Sequence, residues 1–312
     1  MTILITGGTG FLGVALAKAL IREGHNVVLF DVAPDYEETK DILCKVKVVE
    51  GDLTRWMDIV DAVKKYKVKD IFHLGATLTT LAEKRPFLAL DVNLYGTINV
   101  LEAARLFNVG KVVYASTVAT YGPDLPQPVD EGSQQQPRTV YGLTKLFAEL
   151  WGLYYHYRYG VDFRALRFAS LVGGKPARAK VRASAYATLM AWKSALGEPY
   201  EVDVDENQRV QILYYKDAVD ALILLYKAES PKSRIYNVGG VSPTARELAD
   251  TICKHIPNAR IRFVPKPETK ALLSWPTVSS EKIKEELGWK MSYPLDAMVK
   301  DFIEEVRARN LK

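Results

Sequence analysis

The chain has 312 residues, enough to bury a large core, and its 48% hydrophobic and 25% charged residues are typical of a globular protein rather than a disordered one. Its formal charge is only +5, with acidic and basic residues interspersed, so we expect no binding to nucleic acid. No apolar run approaches the ~18 residues of a membrane span and the N-terminus carries no targeting signal, so we expect a cytoplasmic protein that binds no membrane.

Short apolar runs alternate with helical patterns through the first half of the chain. The strands are predicted at residues 3–6, 26–31, 45–52, 69–76, 111–117 and 161–169. The helices are predicted at 11–24, at 87–107 and from 139 onward. Strands that alternate with helices form parallel sheets with crossover connections. The order therefore predicts an α/β fold with a Rossmann-type, doubly wound parallel sheet.

The second half of the chain is less regular. Further elements are predicted as helices near 184–196, 216–228 and 294–309, and as a strand at 236–240. We expect residues 1–170 to form the Rossmann domain, with 212–240 returning to it. Residues 171–312 are expected to form mainly a smaller C-terminal substrate-binding lobe.

A glycine-rich turn, GGTGFLG at residues 7–13, lies between the first strand and the first helix. Its glycines, Gly7, Gly10 and Gly13, permit a tight turn, a close approach to a pyrophosphate and close helix packing, and the helix N-terminus attracts the anion. Asp31 ends the second strand, where an acid accepts hydrogen bonds from ribose hydroxyls and repels a 2′-phosphate. This combination predicts binding of NAD in preference to NADP.

The stretch TVYGLTKLFAEL, residues 139–150, places Tyr141 and Lys145 four positions apart on a predicted helix, hence on one face. A phenol, with a pKa of about 10, is a poor base at neutral pH unless a nearby cation favours its phenolate. A lysine one turn away is such a cation. A solvated helix face can also carry this pair by chance, so its meaning depends on the rest of the chain.

Seven features occur in the order found in extended short-chain dehydrogenases/reductases, a family that the chain resembles over nearly its whole length. They are TGGTGFLG, Asp31, GDL (51–53), HLGA (73–76), Asn93, YAST (114–117) and YGLTK (141–145). The resemblance implies that the Rossmann domain binds NAD and that the C-terminal lobe binds the substrate. It also implies a catalytic set of Thr117, Tyr141 and Lys145.

The resemblance implies a role for each matching residue. Tyr141 would be the acid/base, Lys145 would hold the nicotinamide ribose and lower the pKa of the tyrosine, and Thr117 would bond the reacting hydroxyl. The implied cofactor-binding residues are Gly7, Gly10, Phe11, Leu12, Gly13, Asp31, Asp52, Leu53, Leu74, Gly75, Ala76, Asn93, Ser116, Tyr141 and Lys145. The predicted substrate-binding residues are Thr79, Thr117, Arg178, Arg182 and Arg209. His73 is predicted to pack beside the cofactor without a catalytic role.

Departures from the family pattern narrow the chemistry. Val118 and Ala119 replace the Asp–Glu pair of the sugar-nucleotide dehydratases and cannot transfer protons, which argues against a dehydratase. Ala169 or Ser170 stands where epimerases of nucleotide sugars carry a diphosphate-binding asparagine, and Arg209 lies one place from the position of the epimerase arginine. These differences argue against a nucleotide-sugar substrate without excluding it.

Other stretches resemble a particular branch of the family. Residues 73–105 and 154–167 are similar to short-chain L-threonine 3-dehydrogenases, although ASAYA (183–187) replaces their threonine-rich turn. The stretch 173–184 carries four basic residues and no acid, namely Lys175, Arg178, Lys180 and Arg182. It is either a solvated loop or a clamp for an anionic substrate, since arginine offers bidentate geometry to a carboxylate or phosphate.

We therefore predict an NAD-dependent oxidoreductase that oxidises a secondary hydroxyl of a small, anionic substrate, such as a β-hydroxy amino acid or a sugar acid. Two alternatives remain open: reversible epimerisation of a nucleotide sugar, and a non-catalytic NAD-sensing protein. No metal is predicted, because Cys44 and Cys253 lie far apart in no metal-like spacing. The family resemblance, together with the aromatic-rich character of the second helix, implies a homodimer through the helices around 93–107 and 141–158.

Overall fold

The computed structural model describes residues 1–175, 185–266 and 275–310. Its strands are β1 (Thr2–Thr6), β2 (Asn26–Asp31), β3 (Val46–Glu50), β4 (Asp70–His73), β5 (Lys111–Thr117), β6 (Asp162–Phe168), β7 (Ser170–Val172), β8 (Tyr200–Val202), β9 (Ile212–Tyr214), β10 (Ile235–Val238) and β11 (Ile261–Phe263). Its helices are α1 (Phe11–Arg22), α2 (Tyr36–Thr39), α3 (Trp56–Tyr66), α4 (Thr79–Lys84), α5 (Pro86–Ala89), α6 (Gly96–Leu106), α7 (Val140–Tyr159), α8 (Ala185–Ala195), α9 (Tyr215–Lys227), α10 (Ala245–His255), α11 (Glu281–Leu287) and α12 (Leu295–Asn310).

Seven strands form a parallel sheet in the order β10–β6–β5–β4–β1–β2–β3. The chain winds from β1 towards β3 on one side and from β4 towards β10 on the other. The winding direction therefore reverses between β1 and β4. In open parallel sheets, ligands bind at the carboxyl ends of the strands beside such a reversal. The predicted Rossmann-type fold is confirmed, and its topology places the segments after β1 and β4 on either side of the expected cleft.

Helices cover both faces of this sheet, which explains why its central strands are mainly apolar. Residues 3–5 of β1 are fully buried, and so are all four residues of β4. On one face, α1 and α9 pack against the sheet, and on the other α3, α6 and α7 do so. The two layers hold the carboxyl ends of the strands in fixed positions, where the loops that follow them form the cleft.

The C-terminal lobe has a separate apolar core. Side chains from α8, α10 and α12 pack with the short strands β7, β8 and β9 in one buried cluster. The small sheets of this lobe pair β8 with β11 and β7 with β9. Between these parts, β10 joins the main sheet beside β6, and α11 packs against β10. The later chain therefore contributes elements to both parts of the molecule.

Two local features differ from the sequence prediction. The single helix predicted at 87–107 is interrupted, because a π-helical stretch, Leu90–Tyr95, joins α5 to α6. Helices α3 and α10 were not predicted, although the sequence TARE at 244–247 is a capping-box pattern that marks the start of α10.

In the part of the chain that the structure describes, no helix combines the length and the apolar character that crossing a bilayer requires.

Candidate active site at the carboxyl ends of the sheet

A cavity of about 780 Å³ lies at the carboxyl ends of the central strands. Most of the predicted site residues line it, namely Gly7, Gly10, Phe11, Leu12, Gly13, Asp31, Asp52, Leu53, Leu74, Gly75, Ala76, Thr79, Ser116, Thr117, Tyr141 and Lys145. The fold thus gathers residues from five separate sequence motifs around one space.

The glycine turn after β1 approaches the segment after β4 too closely to admit side chains. Gly7 has φ of +64°, and a Cβ placed on it would lie 2.8 Å from the Cα of Gly75. A Cβ on Gly13 would lie 2.6 Å from the carbonyl oxygen of Gly7. Gly10, the N-cap residue of α1, has no side chain with which to cap the helix. The first N–H groups of a helix lack partners within it, so this end suits a pyrophosphate.

Asp31 lines the cavity where β2 ends and is held by neighbouring donors. Its Oδ2 accepts hydrogen bonds from the Thr9 hydroxyl at 2.7 Å and from the Thr9 backbone N–H at 3.2 Å. Its Oδ1 accepts one from the backbone N–H of Ala33 at 3.3 Å. The glycine turn suits the pyrophosphate of a dinucleotide such as NAD, and an acid in this place suits the hydroxyls of its ribose.

The three predicted catalytic residues meet at the other end of the cavity. Thr117 ends β5, Tyr141 lies in the first turn of α7, and Lys145 lies one turn further on. A hydrogen bond joins the side chains of Tyr141 and Thr117. Gly142 allows this meeting, since a Cβ on it would overlap the backbone carbonyl group of Ala119 in the turn after β5.

The electrostatics of this set depend on burial. Burial raises the pKa of Tyr141 above its ordinary value of 10, and the hydrogen bond from Thr117 only partly opposes it. The Nζ of Lys145 lies 4.0 Å from the ring centroid of Tyr114 but 6.0 Å from that of Tyr141. In the cofactor-free chain, burial therefore outweighs any effect of Lys145 on this phenol, and the lowering of the tyrosine pKa with NAD bound stays a prediction. Burial dominates, and the ammonium group stacks on a different ring.

The pKa of Lys145 is itself shifted. Burial lowers it from 10.5 to about 7, while the carboxylate of Glu149, one turn along α7, raises it. Burial and the nearby Lys145 together lower the pKa of His73 to about 3, so this imidazole is neutral at pH 7. His73 bonds through both ring nitrogens, to Thr6 and to Thr97, and is fully buried. These bonds suit the predicted packing role.

A buried polar network holds α7, the helix that carries Tyr141 and Lys145, in place. Glu149 accepts hydrogen bonds from the Ser116 hydroxyl and from the guanidinium of Arg167, whose Nη2 lies 2.7 Å from Oε2. Arg167 also donates to the Tyr121 hydroxyl at 2.6 Å. Because the ion pair is buried and bonded on both sides, it fixes α7 against β5 and β6. Ser116 lines the cavity while its hydroxyl is bonded to this network.

Asn93 lies behind the cavity wall rather than on it. Its Oδ1 accepts a 2.7 Å hydrogen bond from the backbone N–H of Thr77. Its Nδ2 donates to the Thr77 carbonyl and to the Thr144 hydroxyl, both at 3.0 Å. The predicted cofactor contact is thus replaced by a tie between the segment after β4 and the catalytic helix. The reason is that the amide, buried in the π-helical stretch, is fully engaged with protein groups.

The fold places only some of the predicted substrate-binding residues at the cavity. Thr79 and Thr117 line the cavity, but Arg209 is exposed and forms an ion pair with Glu247 at 3.4 Å, away from the cavity lining. Arg209 belongs to a loop that bridges to the start of α10, which carries its side chain towards that helix. Arg178 and Arg182 lie outside the described residues. Lys175, which precedes them, pairs with Glu38 at 3.2 Å.

Several residues that line the cavity were not predicted from the sequence. Leu78, Leu171 and Trp275 line the cavity, and Trp275 also packs beside Val118 in a small apolar cluster. Trp275 is more than 130 residues away from Tyr141 in sequence, so no local pattern could have placed it there. Thr9 was also missed, although its position inside the glycine turn, opposite the end of β2, was a usable signal.

A glycine turn, an acid after the second strand and a Thr–Tyr–Lys set around one cavity belong to the class of dinucleotide-dependent oxidoreductases. The sequence model of the NAD dependent epimerase/dehydratase family matches residues 3–239, so the chain belongs to that family. The predicted membership in the extended short-chain dehydrogenases/reductases, and with it an NAD-dependent dehydrogenase or epimerase, is thereby confirmed.

Similar proteins include dehydrogenases and epimerases. The mitochondrial L-threonine 3-dehydrogenase of Bos taurus is 30% identical over 304 residues, covering 95% of this chain and 80% of that protein. The structure of L-threonine dehydrogenase from Clostridium difficile aligns with a TM-score of 0.91 at 29% identity, over 100% of this chain and 99% of that one. A UDP-glucose 4-epimerase of Thermus thermophilus in complex with NAD shares the fold, with a TM-score of 0.86 at 24% identity over 98% and 99% of the two chains.

Proposed function

We propose that the protein oxidises the secondary hydroxyl of a small, anionic substrate with NAD, and that β-hydroxy amino acids such as threonine are the first candidates. One observation carries this proposal. Among the described residues that line the cavity, Lys145 is the sole lysine or arginine, and it lies at the catalytic end. This part of the wall therefore offers one cation, at the catalytic end, and no second one for the diphosphate of a nucleotide sugar, which favours a small substrate. The similarity to threonine dehydrogenases supports the same substrate class.

In this proposal, Thr117 and Tyr141 both act on the hydroxyl group of the substrate. Thr117 holds the substrate oxygen, and the phenolate oxygen of Tyr141 accepts the hydroxyl proton. NAD held by the glycine turn, Asp31 and Lys145 would supply the acceptor for the hydride of the alcohol carbon, and its positive charge would oppose the burial that raises the tyrosine pKa. Val118 and Ala119, which are apolar and line the cavity beside Thr117, cannot remove a second proton, so the ketone is released without elimination.

The decisive experiment supplies the purified protein with NAD and a panel of candidate substrates while the formation of NADH is followed by absorbance. The panel contains β-hydroxy amino acids, hydroxy acids, free sugars and UDP-sugars. We expect net NADH with at least one small acid or amino acid. Turnover of UDP-sugars alone, without net NADH, would replace the proposal with an epimerase. NAD binding without turnover of any substrate would favour the NAD-sensing alternative.

We also propose that NAD is preferred over NADP. Asp31 supports this preference, because the negatively charged 2′-phosphate of NADP would lie beside its carboxylate and be repelled by it.

A homodimer is proposed from the outer face of α7. One side of this helix is buried against the cavity and the sheet, whereas the other exposes a stripe of large apolar side chains. The stripe consists of Leu143, Phe147, Leu150, Trp151, Tyr154 and Tyr157. Contiguous apolar surface of this kind commonly marks a protein–protein interface. A second copy that presents the same helix would cover it symmetrically.

Light scattering at micromolar concentration tests this assembly. We expect the mass of a dimer for the unmodified chain and the mass of a monomer for Leu150→Asp, which places a charge in the stripe. Met57→Asp, an equally exposed position on α3, serves as the control and should remain dimeric. A monomeric mass for the unmodified chain would contradict the proposal.

A further inference from the structure

Thr9 lies in the middle of the glycine turn and is fully buried, yet it does not line the cavity. Its hydroxyl and its backbone N–H both donate to the same oxygen of Asp31, at 2.7 and 3.2 Å. We propose that Thr9 is a positioning residue for cofactor selection, which fixes the Asp31 carboxylate in the orientation that accepts from the ribose hydroxyls and opposes a 2′-phosphate. This inference rests on the proposed preference for NAD.

The geometry restrains Asp31 without saturating it. An ionised carboxylate offers about four acceptor sites. The two donors of Thr9 occupy Oδ2, and the N–H of Ala33 occupies part of Oδ1. The side chain is therefore held from both oxygens, while acceptor capacity remains chiefly on Oδ1 for a ribose hydroxyl. A carboxylate free to rotate would lose entropy on binding NAD and could also turn away from a phosphate.

Thr9 also connects two parts of the nucleotide site. Its hydroxyl oxygen accepts a 3.1 Å hydrogen bond from the backbone N–H of Asp35. The side chain of Asp35 in turn accepts from Glu38 N–H at 2.9 Å as the N-cap of α2. One buried hydroxyl thus joins the turn that would hold the pyrophosphate to the loop that follows Asp31. The side chain that makes this connection does not itself line the cavity.

Two substitutions separate the hydroxyl from the shape of the side chain. Thr9→Val keeps the branched shape and removes the hydroxyl, whereas Thr9→Ser keeps the hydroxyl. Dissociation constants for NAD and NADP are measured by calorimetry without any substrate, so the result does not depend on what the enzyme oxidises. We expect Thr9→Val to weaken NAD about tenfold, with little change for NADP, since a lost hydrogen bond to a charged group is worth roughly that factor. Thr9→Ser should stay within about twofold of the parent.

A double-mutant cycle shows whether Thr9 acts through Asp31. Asp31→Ala alone should reduce the difference between the dissociation constants of NAD and NADP. Thr9→Val added to it should change neither dissociation constant further. The proposal is overturned if Thr9→Val leaves both affinities unchanged, weakens both cofactors equally, or has its full effect without Asp31. A protein that selects NAD in this way but oxidises no hydroxylated compound would overturn the proposed function and leave this inference intact.

Discussion

The two ends of the cavity are built in different ways. The cofactor end comes from short motifs that directly follow adjacent strands: the turn 7–13 after β1, Asp31 at the end of β2 and the segment 74–76 after β4. The proposed substrate end is assembled from segments far apart in the chain, with Leu171 from β7 and Trp275 from the C-terminal part. A nucleotide site can therefore be encoded locally, while the substrate pocket depends on how two cores pack together.

The predicted catalytic residues lie at the end of the cavity opposite the glycine turn, and the comparison can be tested there first. Tyr141→Phe removes the phenolic oxygen and nothing else, so turnover should fall by about 10²–10⁴-fold, the usual contribution of an acid/base group. NAD affinity, set at the other end, should change less than about twofold. Steady-state kinetics and a separate NAD titration measure the two effects.

Tyr36→Phe is the matched control for this change, since Tyr36 lies on α2 outside the cavity lining, with 56% of its surface exposed. It should leave both quantities unaltered. A Tyr141→Phe variant that keeps most of its rate would show that the phenol is not the base, and one that loses NAD binding would show that the two ends are not independent.

A second change addresses the substrate end alone. Trp275→Ala removes a half-buried aromatic ring from the cavity wall, so the KM for the substrate should rise by about tenfold, as expected for the loss of an apolar contact of this size. Trp275→Phe should show a smaller rise. The dissociation constant of NAD should be unchanged in both variants. An equal loss of NAD affinity would break the division between the two ends.

The smallest expected effect concerns stability and Lys145. Burial lowers its pKa from 10.5 to about 7, so between these values the unfolded chain binds a proton that the folded chain does not. Stability therefore rises with pH across this window, and the cost of the buried charge is greatest below it. Lys145→Met removes the titration. It should raise the Tm of the cofactor-free protein by a few degrees at about pH 6 and by less at about pH 9.

Thermal unfolding at both pH values, monitored by circular dichroism, measures this difference. Lys64→Met, at an exposed position on α3, should leave the Tm and its pH dependence unchanged. A gain from Lys145→Met that does not vary with pH would mean that the ammonium group is not the source of the cost.

The amino-acid sequence by itself determined the fold and most of the cofactor end. Alternating strands and helices, a glycine turn in a strand–turn–helix context and an acid at the end of β2 are local patterns, and each depends on backbone conformation near its own position. The Tyr141–Lys145 spacing is local too, because one helix carries both. These features could be predicted since neighbouring residues are enough to specify them.

Only the tertiary structure decided what surrounds those residues. It buried Lys145 over Tyr114, and in the cofactor-free chain burial raises the pKa of Tyr141, an effect that helical spacing does not reveal. It turned Asn93 away from the cavity and placed Arg209 on the surface, because their side chains found protein partners on other elements. Desolvation and long-range pairing depend on which distant segments pack together, and no local pattern in the sequence records that.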